Sequence, residues 1–263
     1  MRRSLLKPFD AWTEVFISDP LTTHIAVKLA KIPGIHPLHI TAISQFLKFL
    51  GAAFYFIYPD PFTIIPPILF FFGILFDAMD GKIARLTGKD IELHGTLDFT
   101  TDQITIVVFY LSMLFAFTSK SELIPWMYVW MLMLFVLISL TSSLHRLQAS
   151  LGGVNVDDRD ELRGKYDEIF SSTIQNNFLK KILQTYSKMI EKAGKYRVFP
   201  RPTTPDSEFL FFVVFPILVG INSPFAIYVL IISVLFFIPD ILHIGALVII
   251  LTKRLGKLNK DKP

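Results

Sequence analysis

Four carboxylates crowd into the stretch Phe76–Gln103, which reads FDAMDGKIARLTGKDIELHGTLDFTTDQ. Asp77 and Asp80 are three residues apart, and Asp98 and Asp102 are four apart. On helices each pair shares a face. Gly81, Ala84 and Arg85 extend the Asp77–Asp80 face, which therefore runs acid, acid, glycine, small residue, arginine. Asp90 and Glu92 read as ordinary loop acids. Four converging carboxylates repel one another unless something neutralises them. Protonation of one or two relieves the charge. Pairing with Lys82, Arg85 or Lys89 relieves part of it. Hard divalent cations such as Mg²⁺ or Mn²⁺ relieve nearly all of it, and they prefer oxygen ligands and share them with phosphates. Metal is favoured, because the basic residues on the loop are too few and Arg85 lies on the wrong turn to serve all four acids. Gly81 and Ala84 allow close approach of a neighbouring helix or of a bulky ligand, and the company of the acids favours the ligand. The Arg85 guanidinium suits phosphate oxygens or anchors the helix end at the headgroups.

The elements that must position these residues are membrane helices. Of 263 residues 52% are hydrophobic and 18% charged, with 26 Phe and a mean hydropathy of +0.51. A soluble domain is about 45–50% apolar and about 25% charged, so the composition is that of a bilayer protein and excludes disorder. The absence of Cys excludes disulfides, thiolate catalysis and Cys-ligated zinc. A spanning helix needs about 20 mostly apolar residues. Windows of this kind run over residues 39–58, 61–85, 95–118, 123–144, 209–221 and 225–252, the last interrupted at Pro239-Asp240. The expected fold is an all-α, polytopic membrane bundle of six transmembrane helices with an N-terminal interfacial amphipathic helix.

Lys and Arg cluster before the first window, after the second, after the fourth and after the sixth, while the opposite loops offer only Lys120. The positive-inside rule then places both termini and the acidic cluster in the cytoplasm. The net charge of +4 is the average over that basic side and not a nucleic-acid signature. Residues 1–36 form an interfacial segment, not a cleaved signal, since Asp10 and Glu14 break any apolar run. Residues 37–149 carry the first four spans and the acids. Residues 150–205 form a cytoplasmic helical insertion, 206–253 the last two spans, and 254–263 a basic tail. Trp126, Tyr128 and Trp130 read as an interfacial aromatic belt. Asp240 and His243, three apart, form a possible mutual pair or a packing contact.

The pattern Asp77-x2-Asp80-Gly81-x2-Ala84-Arg85…Asp98-x3-Asp102 resembles the signature of the CDP-alcohol phosphotransferases. The position of the family's second glycine is His94 here, with Gly95 one step later. The resemblance implies a reaction in which the hydroxyl of a polar alcohol displaces CMP from a CDP-linked lipid. It implies divalent metal, Mg²⁺ or Mn²⁺ and two ions, held by Asp77, Asp80, Asp98 and partly Asp102. It makes Asp102 the catalytic base, and Gly81, Ala84, Arg85 and Gly95 contacts to the CDP-alcohol. Pro37-Leu38-His39-Ile40-Thr41 is similar to the family's Pro, polar residue, two residues, Thr segment, with Leu38 in the polar place. Thr41 is thus a CDP contact by resemblance, or on the bare residues a helix N-cap. Arg146 and Arg201 are candidates for an anionic acceptor, or topology anchors. Family members are often dimeric, so a homodimer is a possible partner beside the CDP-lipid, the acceptor alcohol and the membrane lipids.

Other readings compete. The stretch from Asp77 to Gly88 is also somewhat similar to the CDP-choline and CDP-ethanolamine branch, which acts on diacylglycerol but usually has more spans. Intramembrane prenyltransferases carry two separated Asp-rich motifs, and here the only second run, Asp157-Asp158-Arg159-Asp160, sits on a soluble loop. An ion-binding transporter would show mid-membrane charges in several spans or an internal repeat, and neither is evident.

Overall fold

Pro37 follows His36, and a proline at the first helical position costs no hydrogen bond. His36 caps this start: its Nδ1 accepts from Leu38 N at 3.3 Å, and its own N–H donates to His39 Nδ1 at 3.4 Å. The first long helix therefore begins at Pro37, and the N-cap is His36 instead of Thr41, which lies one turn inside. The computed structural model of the chain describes residues 6, 7, 9–88, 92–150 and 192–260. Among these the structure is helical, with an isolated bridge between Asp10 and Val198 and no strand. A π-helical turn, Glu14–Ser18, leads into α1, Asp19–Leu29. Then come α2 (Pro37–Ile57), α3 (Ile65–Thr87), α4 (Glu92–Ala116) and α5 (Ile124–Ser150). A run of α6 (Thr204–Phe209), a π-helical turn (Leu210–Val214) and α7 (Phe215–Gly220) precedes α8 (Ala226–Leu235) and α9 (Phe237–Lys260).

Three stretches of the described residues are long and apolar enough to cross a membrane: Pro37–Ile57, Ile124–Leu144 and Ala226–Ile249. Two of the other expected spans fall short for visible reasons. Helix α3 is long enough, but Asp77, Asp80, Lys82 and Arg85 fill its last turns. In helix α4 the residues whose side chains are described carry the apolar stretch Thr100–Ala116, which includes Asp102. The run from Thr204 to Gly220 is short and widened by its π turn.

The apolar interior is aromatic. Trp130 is fully buried and stacks on Phe211 with centroids 4.1 Å apart. Phe70 touches Phe109 at 4.5 Å and Phe212 at 4.8 Å. The aromatic belt expected at Trp126, Tyr128 and Trp130 is thus corrected. Trp126 and Tyr128 are exposed, but Trp130 points inward, where its indole N–H donates to Ser207 Oγ at 2.9 Å. A buried indole needs such a partner.

The N-terminal helix has an inverted surface. Ser18, Asp19, Thr22 and Ala26 are buried against the bundle, while Trp12, Phe16, Leu21 and Ile25 are exposed. The segment is fastened to α6 and to the chain just before it. Asp10 N donates to Arg197 O at 2.8 Å, Trp12 Nε1 to Phe199 O at 2.8 Å, and Thr13 N to Asp206 Oδ1 at 2.7 Å. Most of the expected insertion, residues 151–191, lies outside the described residues, as do Lys89, Asp90 and the last three residues of the basic tail.

Candidate active site

Three helix faces meet at the acids. On α2, Thr41, Ser44, Gln45 and Lys48 fall at steps of three, four and seven, so they share one face. All four are buried. On α3, Gly73, Asp77 and Asp80 follow the same rule. On α4, Asp102 and Thr105 do so. The cross-links between these faces are short. Thr41 Oγ1 donates to Asp80 Oδ2 at 2.6 Å. Ser44 Oγ donates to Gly73 O at 2.9 Å and lies 3.4 Å from Asp77 Oδ1. Gln45 Nε2 donates to Asp102 Oδ1 at 2.6 Å, and the Thr105 hydroxyl donates to the Gln45 oxygen, which fixes the amide.

Lys48 joins two of the predicted acids. Its Nζ lies 2.8 Å from Asp102 Oδ1 and 3.3 Å from Asp77 Oδ1. The stem passes over Gly73, where a Cβ would come within 2.6 Å of Lys48 Cγ. Glu208, on α6, adds a fifth acid within electrostatic range of Asp102, Lys48 and Asp77. Acids therefore outnumber the one ammonium that bridges them.

Lys82, a candidate partner for the acids, is turned away from them. It stands two residues after Asp80 and five after Asp77, on the opposite side of the helix. Its Nζ donates to Ala78 O at 3.0 Å and lies 3.0 Å from Asp19 Oδ1 on α1. Asp19 also meets Arg197 NH1 at 3.0 Å.

Among the described residues an added Cβ at Gly81 would meet only the Arg85 guanidinium, 3.5 and 3.9 Å away. Among these residues no neighbouring helix comes within 4 Å of that Cβ, and Arg85 itself is exposed. Ala84 is buried at 4% exposure. Arg201 is tied to Asp240 of α9, with Nε at 2.9 Å and NH2 at 2.7 Å from Oδ1, and Thr204 N donates to Asp240 Oδ2 at 3.1 Å. Asp240 thus binds Arg201, where the sequence raised His243. Gly95 and Asp98 lie in the first turns of α4, and Arg146 near the end of α5. The side-chain surroundings of these three are outside the described set.

The acids offer only oxygen donors, with Asp77 and Asp80 one turn apart on α3 and Asp102 joined to Asp77 through Lys48. That chemistry fits a hard divalent ion such as Mg²⁺ or Mn²⁺. Among the described residues no group of three acids or histidines converges that could hold a metal ion.

Lys48, Ser44, Gln45, Thr105 and Glu208 were not picked out by the motif. The signal for the first three is the polar stripe at 41, 44, 45 and 48 on an otherwise apolar helix.

A family model described as CDP-alcohol phosphatidyltransferase matches residues 35–171. The match takes in α2, α3, α4 and α5, and with them every cross-linked residue from Thr41 to Thr105. No curated protein sequence matches the chain.

Proposed function

The chain belongs to the CDP-alcohol phosphatidyltransferase family, and from this premise we propose that it transfers a phosphatidyl-type group from a CDP-linked lipid to the hydroxyl of a polar alcohol, releasing CMP. Membership alone carries membrane phospholipid synthesis from a CDP-alcohol, in a family that is generally dependent on divalent metal. The observation that supports the finer reading is Lys48 of α2 bridging Asp77 of α3 and Asp102 of α4, with Thr41 holding Asp80 one turn further along α3.

In this reading the acceptor oxygen forms a bond to the lipid-bearing phosphorus. The bond from that phosphorus to the CMP oxygen breaks, and CMP leaves as the anion. The acceptor proton passes to Asp102, whose side chain keeps 24% exposure and so is reachable by a hydroxyl. Gln45 and Lys48 hold the other requirement of a base, a fixed orientation. Asp77, Asp80 and Asp98 would hold Mg²⁺ or Mn²⁺, which when bound supplies charge stabilisation to the diphosphate. Thr41 orients Asp80. Gly81 leaves room for the nucleotide, and Arg85 binds a phosphate oxygen.

The topology that goes with this reading has six spans, with both termini and the acids on the cytoplasmic side. The one-sided Lys and Arg distribution supports it. The exposed apolar residues of the N-terminal helix support an interfacial position for that segment. The test uses protein purified in detergent with Mg²⁺ or Mn²⁺, a CDP-lipid and a panel of alcohols, with CMP as the readout. CMP that appears only when donor and acceptor are both present supports the function. No CMP with any pair defeats it.

A further inference from the structure

Lys48 is a charged residue in the middle of an apolar helix, buried to 5% exposure. A cation in such a place is costly unless it is paired and hydrogen-bonded. Its pairing is built into three helices. The stem occupies a notch that Gly73 leaves open: a Cβ there would stand 2.6 Å from Lys48 Cγ and 3.4 Å from Cε. The Ser44 hydroxyl, bonded to Gly73 O, closes α2 onto α3 at the same level. The ammonium ends between Asp77 Oδ1 and Asp102 Oδ1. Gln45 holds the same oxygen of Asp102 from one turn further back. A glycine notch, a buried stem and two carboxylates on different helices make the lysine a fixed part of the site.

We propose that Lys48 is a positioning residue whose ammonium takes the space between Asp77 and Asp102 that a divalent ion would otherwise share. It rests on the reading of these aspartates as the reacting site. One consequence follows from its charge and one from its position. The ammonium repels a divalent ion held on Asp77, so it weakens metal binding. It also fixes the Asp102 carboxylate, so turnover needs it. Metal affinity and turnover are thus set against each other by one side chain, which a merely structural lysine would not do.

The test measures Mn²⁺ binding to the full chain in detergent, without substrate, by calorimetry or by electron paramagnetic resonance. CMP release is measured in parallel. Lys48→Met is expected to bind Mn²⁺ at least about tenfold more tightly and to release CMP more slowly, whereas Lys48→Arg restores the weaker Mn²⁺ binding. Gly73→Ala closes the notch without removing a charge, and is expected to tighten Mn²⁺ binding in the same direction. It also serves if Lys48→Met fails to fold. Unchanged or weaker Mn²⁺ binding in folded Lys48→Met or Gly73→Ala overturns the inference. Wild-type protein that binds Mn²⁺ yet never releases CMP overturns the proposed function instead, and leaves the Mn²⁺ comparison to decide on Lys48.

Discussion

Thr41 on α2 donates a 2.6 Å hydrogen bond to Asp80 Oδ2 on α3, with both residues buried. The threonine thus acts on an aspartate of the motif, one turn inside the helix it was a candidate to cap. A hydrogen bond to a charged group contributes about 1.5–3 kcal/mol. Thr41→Val is therefore expected to raise the Mg²⁺ concentration for half-maximal CMP release about tenfold or more, while Thr41→Ser stays near wild type. A titration of CMP release against Mg²⁺ at saturating CDP-lipid checks this. A change confined to the KM for CDP-lipid would make Thr41 a nucleotide contact and not a support for Asp80.

Asp102 and Asp77 share Lys48 but differ in their expected tasks. Asp102→Asn keeps an oxygen for Gln45 and Lys48 to bond, so folding and CDP-lipid binding are expected to survive. Loss of a general base costs about 10²–10⁴ in rate. Asp77→Asn is expected to lose metal and CDP-lipid binding as well. Binding of CDP-lipid and of Mn²⁺ to both variants, beside their turnover, separates the roles. Normal turnover by Asp102→Asn would sink the base assignment.

The family was legible in the sequence. The spacing of Asp77, Asp80, Asp98 and Asp102 on two helices carries the resemblance to it, because a helical period places such residues on one face. The polar stripe of Thr41, Ser44, Gln45 and Lys48 was equally periodic, but which acid each residue meets depends on how α2, α3 and α4 pack. Periodicity shows a face, not its partner. Lys82 shows the same limit from the other side. It is adjacent to Gly81 in sequence, yet the helix turns it toward Asp19. Trp130 was misread because an aromatic near a span end can face the lipid or the core, and composition does not distinguish them. Glu208 is brought in from α6, far along the chain, and no local pattern marks it.

Asp19 holds Lys82 and Arg197 together at 3.0 Å each, with Lys82 at 3% side-chain exposure. Removing one member of a buried pair strands the others and costs about 3–5 kcal/mol. Asp19→Ala is expected to destabilise the protein on that scale, by unfolding in detergent. Adding Lys82→Met to Asp19→Ala is expected to cost less than the sum of the two single changes, because one stranded charge is removed. Strict additivity would mean that the pair carries no coupling.

Glu14 gives the N-terminal segment a pH dependence. Burial raises its carboxyl to about 7, against a smaller opposing pull from Lys82. The folded protein then holds a proton that the unfolded chain releases near its ordinary value of 4.5. Stability is highest below that value, falls as pH rises toward 7, and stays lower above it. The full loss is on the order of 3 kcal/mol. Glu14→Gln cannot ionise, so its unfolding midpoint is expected to vary less between pH 5 and pH 8, and to exceed that of the wild type at pH 8. Parallel pH profiles of the two proteins would show that Glu14 is not the titrating group.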